Sequence, residues 1–328
     1  MLRIGVVGLG VISKKHIEAI QRLEFAELAA VCDIDPSKKN KVPGVPFFED
    51  LEDMLQTKEL DCLNICLPHD LHVPAILLAK RYGVNVFVEK PIGLNTEDIA
   101  NLQDISGIKV GVCLQNRYNP TTLKLKEIIA GKKYGGFKGC KAVVTWNRGP
   151  DYYSKDPWRG SISRAGGGTM LSQAIHTIDL MYLFGGRPSW VKGLAGNLLR
   201  EEIEVEDTAC AHIGFDNGGS GIFYSSVTHC FNSFIEFEVV FEEAVMTIQD
   251  GRLILFQGTD QKVLAEDMSS GDETFYYGTS HKAAIEAFYQ AIINDTDDYI
   301  SIEEGSWSVK ICESVMESSR TGERVYLN

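Results

Sequence analysis

The chain has 328 residues, enough for two ordinary domains, and its 44% hydrophobic content is that of a globular protein. A formal charge of −13 argues against a nucleic-acid or anionic-membrane surface, either of which needs a basic patch. No apolar run reaches about 18 residues, so no membrane span is expected.

The first strand, at 3–7, breaks into Gly8-Leu9-Gly10 and leads to a helix at 12–23. Gly8 allows a sharp turn, and Gly10 allows close approach of a pyrophosphate. The helix start at Val11 and Ile12 offers free N–H groups and a positive dipole end. Ser13 stands where the fingerprint usually has its third glycine, and such a match alone is weak. A second strand at 27–32 ends at Asp33, about twenty positions on, where a carboxylate binds the ribose hydroxyls of NAD. NADP would place a phosphate beside that charge, so NAD is expected. Lys38 and Lys39 soften the preference and leave NADP open.

Strands at 61–67, 84–88 and 109–113 and helices at 49–56, 72–82 and 96–104 continue the alternation. These short, continuous apolar strands predict a doubly wound parallel sheet, a Rossmann-type α/β domain over 1–118. Ligands of such sheets bind beyond the strands' carboxyl ends. Asp33, Leu67-Pro68, Glu89-Lys90 and Gln115-Asn116 all fall there and are expected to line one crevice.

The pattern changes after Asn119-Pro120. A helix at 121–131 precedes alternating strands at 138–146, 190–196, 208–215, 221–227, 235–241, 245–249 and 252–256. Helices at 280–293 and 303–320 close the chain. Period-two alternation predicts an α+β domain over 119–328 with an open, mainly antiparallel sheet. Phe223, Phe237, Val239 or their neighbours would lie on its open face, which suits a homodimer or homotetramer.

The 8 cysteines form no CxxC pair and read as reduced residues of a cytoplasmic protein. The N-terminal residues enter a buried strand at once, which argues against a signal peptide. His69-Asp70-Leu71-His72 is the one cluster with metal-ligand character, and it lacks a closed ligand set, so no metal site is expected.

Lys90 ends the fourth main strand, beside the expected nicotinamide, where an ammonium can hold a substrate oxygen and stabilise developing negative charge. The block Gly166-Gly167-Gly168-Thr169-Met170-Leu171-Ser172-Gln173-Ala174-Ile175-His176-Thr177-Ile178-Asp179 predicts a helix from about Thr169. Ser172, His176 and Asp179 would share one face, with Asp179 orienting an imidazole able to move a proton near neutral pH. From spacing alone, the structural reading of His176, a core histidine paired with a carboxylate, has the edge.

Four separated blocks resemble the glucose–fructose oxidoreductase / inositol dehydrogenase / MocA family: Gly8-Leu9-Gly10, Pro68-His69-Asp70-Leu71-His72, Glu89-Lys90-Pro91 and the glycine-led block ending at Asp179. The resemblance covers essentially the whole chain. It implies NAD(P)-dependent oxidation or reduction of a sugar-like alcohol, with Lys90 and His176 in the active site and Leu67, Pro68, His72, Glu89 and Asn116 around the cofactor. Many members carry aspartate where this chain has Ser172, which argues against a lysine–histidine–aspartate triad and against inositol as substrate.

A finer resemblance, to nucleotide-sugar 3-dehydrogenases, rests on Gln115-Asn116-Arg117-Tyr118-Asn119-Pro120, Trp146-Asn147-Arg148, Tyr152-Tyr153, Pro157-Trp158-Arg159-Gly160 and Glu204-Val205-Glu206-Asp207-Thr208. It implies that Arg148 and Arg159 face an anionic substrate and that Tyr153 and Trp158 stack on a ring, with Arg117, Ser172 and Gln173 nearby. The alternatives for Arg148, Arg159, Tyr153 and Trp158 are loop anchoring and surface ion pairing. His176 would act as general base, Lys90 would hold the reacting oxygen and Asp179 would orient the imidazole. The reverse assignment, Lys90 as base and His176 as binder, uses the same groups. Two rival functions share the frame: a redox-assisted glycoside hydrolase that keeps its NAD, and a non-catalytic sensor of sugar or dinucleotide.

Overall fold

The structure is a computed structural model describing residues 1–57, 59–267 and 280–327. In chain order the regular elements begin with β1 (Leu2–Val7), α1 (Ser13–Gln21), β2 (Ala26–Cys32), β3 (Phe47–Phe48) and α2 (Leu51–Thr57). Next come β4 (Cys62–Ile65), α3 (His72–Arg81), β5 (Asn85–Glu89), α4 (Thr96–Ala100) and β6 (Val110–Cys113). Then follow α5 (Pro120–Ala130), β7 (Phe137–Thr145), α6 (Pro150–Lys155), α7 (Ile162–Ala165) and α8 (Ile175–Gly185). A run of strands comes after: β8 (Pro188–Gly196), β9 (Thr208–Phe215), β10 (Ser220–Ser226), β11 (Glu236–Phe241), β12 (Val245–Gln249), β13 (Arg252–Gln257) and β14 (Asp260–Glu266). The chain closes with α9 (His281–Asn294), α10 (Ile302–Thr321) and β15 (Val325–Tyr326).

Two compact units result. The first comprises Met1–Leu114 with Ser280–Ser306, and the second Gln115–Thr279 with Trp307–Asn328. The sequence places a single boundary after residue 118; the structure instead returns α9 and the first residues of α10 to the first unit.

The first unit is a six-stranded sheet in the order β3-β2-β1-β4-β5-β6, parallel at every pairing. Every residue of the central strand β4 is buried, and so is every residue of the edge strand β6. Continuous apolar runs are what such strands require. The strand order reverses between β1 and β4, the switch point beside which ligands of open parallel sheets bind. α9 buries Ala284, Ile285, Phe288, Tyr289 and Ala291 along one stripe. Phe288 lies 5.4 Å from the Phe87 ring of β5, which is what brings this late helix into the first unit.

The second unit is built on a nine-stranded sheet in the order β14-β13-β12-β11-β7-β10-β9-β8-β15. All its pairings are antiparallel except β7 with β10. The inward face carries Phe223, Phe237 and Val239, all buried, with Phe184 of α8 5.6 Å from Phe237. The neighbours in the alternation face outward. Leu194, Ile222 and Tyr224 are 65%, 52% and 40% exposed. Leu194 pairs with Cys210 and Cys210 with Tyr224, forming a row across three strands. No described helix is long and apolar enough to cross a membrane.

Candidate active site

The glycine turn of the first unit takes its shape from steric necessity. Gly8 has φ +88, and a Cβ there would stand 2.5 Å from the Cys66 carbonyl oxygen, so only glycine fits. Around Gly10 a Cβ would meet no heavy atom within 4 Å, and Val11 is 83% exposed. Backbone at this turn is therefore open to close approach. α1 follows with Ile12 at its N-cap position and no side chain capping it. The first N–H groups of α1 thus point their positive dipole end at an open turn, the arrangement that receives a diphosphate. These residues fit a dinucleotide.

Asp33, buried at the end of β2, accepts the Leu9 N–H at 2.7 Å and the Asp35 N–H at 3.0 Å. Lys38 Nζ donates to Asp33 Oδ2, the oxygen that also accepts the Leu9 N–H, at 2.9 Å. Burial opposes ionisation of Asp33, but the Lys38 ammonium and the two N–H donors outweigh it and hold the carboxyl below its ordinary range. Lys41 Nζ donates to the Leu9 carbonyl at 2.8 Å, so two cations stand by the turn.

Glu89 ends β5 and Lys90 follows, half-buried, with a cis bond to Pro91. Glu89 Oε1 lies 2.8 Å from His16 Nε2. Burial alone would push the Glu89 carboxyl up; the His16 hydrogen bond and the neighbouring His16, His281 and Lys90 charges hold it far below the usual carboxylate range. His72, expected at the cofactor, bridges two loops instead: Nδ1 lies 2.7 Å from the Pro91 carbonyl and Nε2 2.9 Å from the Leu67 carbonyl. Leu67 and Pro68 are half-buried just past β4. The metal-type grouping among the described residues is His16, Glu89 and Cys113, whose ligand atoms lie within 4.8 Å of one another, rather than His69 and His72.

The second unit carries His176. The expected α-helix from Thr169 is a π-helix over Thr169–Ala174, and α8 begins at Ile175. The wider π turn shifts Ser172 off the register that would align it with His176, and its Oγ donates to the Gly167 carbonyl at 2.8 Å. Glu206 builds this start. It accepts the Gly168 and Met170 N–H groups at 2.8 and 3.0 Å, while its carbonyl accepts the Thr169 N–H at 2.8 Å. A Cβ on Gly168 would lie 2.0 Å from that carbonyl oxygen, so the close approach needs glycine. His176 is buried in the first turn of α8. One turn on, Asp179 receives a bidentate fork from Arg117, Nε at 2.8 Å and a terminal nitrogen at 2.7 Å, with both residues buried. The Arg117 guanidinium, expected near substrate, is thus committed to Asp179.

The arginines converge on Tyr152, which the sequence resemblance included without a role. Tyr152 has Arg159 4.3 Å from its centroid and Arg148 5.4 Å away. Gln173 donates to the Tyr152 hydroxyl at 2.8 Å and accepts from Arg148 Nε at 3.0 Å. Tyr153 instead belongs to a core cluster with Ile203 and Val205, and burial pushes its phenol well up. Trp158 is half-buried, with Arg159 5.6 Å from its ring. Asn116 is buried in the second unit beside a small cleft shared with Asn119, Thr121 and Asp267. His16 and Asn64 are the residues that sequence reasoning missed, and Tyr152 is one to which it gave no role. Tyr152 had a signal, since it adjoins Tyr153 in the same aromatic pair.

Residues 2–115 match the family model described as the oxidoreductase family with an NAD-binding Rossmann fold, and residues 122–247 match the GFO/IDH/MocA C-terminal domain. The chain belongs to the Gfo/Idh/MocA oxidoreductase family. Within it, myo-inositol 2-dehydrogenase of Thermotoga maritima is 26% identical, the match covering 69% of this chain and 68% of that protein. The uncharacterized oxidoreductase YrbE of Bacillus subtilis is 25% identical, and the match spans 66% of its length. D-xylose 1-dehydrogenase (NADP(+)) 2 of Haloferax volcanii is 26% identical over 99% of this chain and 98% of its own. Among solved structures, the WlbA dehydrogenase of Bordetella pertussis, in complex with NADH and UDP-GlcNAcA, superposes with a TM-score of 0.86 at 26% identity. That superposition covers 100% of this Gfo/Idh/MocA chain and 99% of WlbA.

Proposed function

We propose that the protein is an NAD(P)-dependent dehydrogenase that transfers hydride between a hydroxyl-bearing carbon of a sugar or nucleotide sugar and nicotinamide. The observation that carries this reading is the placement of Lys90 at the carboxyl end of β5, in the same sheet whose β1 end bears the open glycine turn and whose β2 end bears Asp33.

Gly8, Gly10, Val11 and Ile12 take the diphosphate and Asp33 takes the ribose hydroxyls. Bound NAD supplies the hydride acceptor. His176 takes the hydroxyl proton as general base, and Lys90 donates to the same oxygen and stabilises the alkoxide as charge develops. Arg117 fixes Asp179, which fixes α8 and with it the imidazole. The Arg148–Tyr152–Arg159 stack supports an anionic substrate, since guanidinium forks match phosphate and carboxylate oxygens. WlbA's UDP-GlcNAcA is a ligand of that class. Leu194, Ile222 and Tyr224 on the open face support a homodimer or homotetramer. Six buried free cysteines of 8 support a reducing, cytoplasmic setting.

A spectrophotometric screen of sugars and nucleotide sugars, run with NAD and with NADP, tests the reading. Net accumulation of reduced cofactor is expected. Release of an aglycone without net reduction would mark the hydrolase instead, and dinucleotide binding without turnover would mark a sensor.

A further inference from the structure

The segment that carries Lys90 is gripped from both sides by histidines for which the proposed reaction has no use. On one side, His16 is 0% exposed and its Nε2 lies 2.8 Å from Glu89 Oε1. Its Nδ1 lies 3.0 Å from the Asn64 amide of β4. The Tyr289 hydroxyl of α9 donates to Asn64 Oδ1 at 3.0 Å. On the other side, His72 is also 0% exposed and spans the Pro91 and Leu67 carbonyls at 2.7 and 2.9 Å. Glu89 and Pro91 are the two chain neighbours of Lys90. α1 and α3 therefore hold the tripeptide directly, while β4 and α9 hold His16 through Asn64.

Stability does not account for this. A buried pair of ionisable groups about breaks even against apolar residues of similar volume, because both must be stripped of water. An apolar contact would close the same space. What hydrogen bonds add is direction: each fixes an atom to within a few tenths of an ångström and excludes other rotamers. His16 also lies on α1, whose N-terminus opens on the glycine turn, so the helix that faces the diphosphate is joined by one hydrogen bond to the residue before Lys90.

We propose that His16 and His72 are positioning residues, which together clamp Glu89 and Pro91 and so aim the Lys90 ammonium at the reacting oxygen. The proposal rests on the role given to Lys90 above. A misplacement of the order of 1 Å in such a group lowers turnover by about 10²-fold.

The test uses the full chain and three variants. His16→Met/Glu89→Leu removes the polar pair without leaving a buried charge unpaired. His72→Gln replaces two nitrogens on opposite sides of a rigid ring with a single amide nitrogen on a flexible stem, and so loses the fixed span between the two carbonyls. Lys90→Met is the control. NADH affinity is read by fluorescence titration, kcat by reduced-cofactor absorbance, and the rate of Lys90 acylation by mass spectrometry. Both clamp variants are expected to bind NADH as the wild type does, to lose kcat by about 10²-fold and to change the Lys90 acylation rate. Wild-type kcat in a clamp variant that binds NADH would overturn the proposal. So would a loss of kcat matched by an equal loss of NADH affinity, which is the mark of general structural damage. If the double variant fails to fold, His72→Gln decides alone by the same readings. A Lys90→Met protein with wild-type turnover would sink the dehydrogenase reading itself. A dead Lys90→Met beside fully active clamp variants would sink only the clamp.

Discussion

The buried fork between Arg117 and Asp179 gives the sharpest energetic prediction for the second unit. Asp179 is 1% exposed and Arg117 8%, and two hydrogen bonds of 2.7 and 2.8 Å join them. Arg117→Met leaves a carboxylate buried without its partner, which costs about 3–5 kcal/mol. For a unit of this size, each kcal/mol moves Tm by roughly 2–4 °C, so a fall of about 6–20 °C is expected in differential scanning calorimetry. Replacing both partners, Arg117→Met with Asp179→Leu, removes the orphaned charge and should recover most of that loss. Activity separates from stability here. The fork sits one turn beyond His176 on α8, so kcat should stay depressed in the double variant even where Tm returns. A single variant that melts with the wild type would refute the reasoning. A double variant no more stable than either single would refute it as well.

Other consequences follow from the first unit. Asp33→Ala removes an acceptor for ribose hydroxyls and should weaken NADH binding by about 10- to 100-fold in fluorescence titration, with NADPH less affected because Lys38 and Lys41 remain. Equal losses for both cofactors would contradict the assignment. Gly10→Ala places a methyl where no protein atom lies within 4 Å, so Tm should hold while dinucleotide affinity drops; retained affinity would show that the turn does not face the diphosphate. Burial lowers the His281 imidazole from the ordinary 6.5 to about 4, with His16, Lys15 and Lys90 acting in the same sense and Glu89 opposing. Between those values the unfolded chain binds the extra proton, so stability rises with pH across the window and is lost as pH falls through it. This shift is worth on the order of 3 kcal/mol. His281→Phe should flatten that stretch of the stability–pH curve in urea titrations, and an unchanged slope would refute it.

The first unit was legible because its physics is local. Parallel strands covered on both faces must be continuous apolar runs, and Gly8 and Asp33 mark strand ends by residue type alone. Buried positions such as Phe223 and Phe237 fixed the alternation of the second sheet, while the exposed phase fell to Ile222 and Tyr224. What the sequence hid depends on distant partners. The π-helix at Thr169–Ala174 is set by Glu206, and Asp179 finds Arg117 62 positions away. β14 carries Asp260, Gln261 and Lys262 on an exposed edge, without the apolar alternation that betrays a strand. α9 looks like any amphipathic helix until Phe288 and Tyr289 meet Phe87 and Asn64.

The most direct measurement is the absorbance of reduced nicotinamide when wild-type protein and Lys90→Met are each given NAD and a panel of sugars and nucleotide sugars. Wild-type protein should accumulate NADH on at least one of them, and the variant should bind NAD equally well yet produce none. Equal turnover by both proteins would contradict the account.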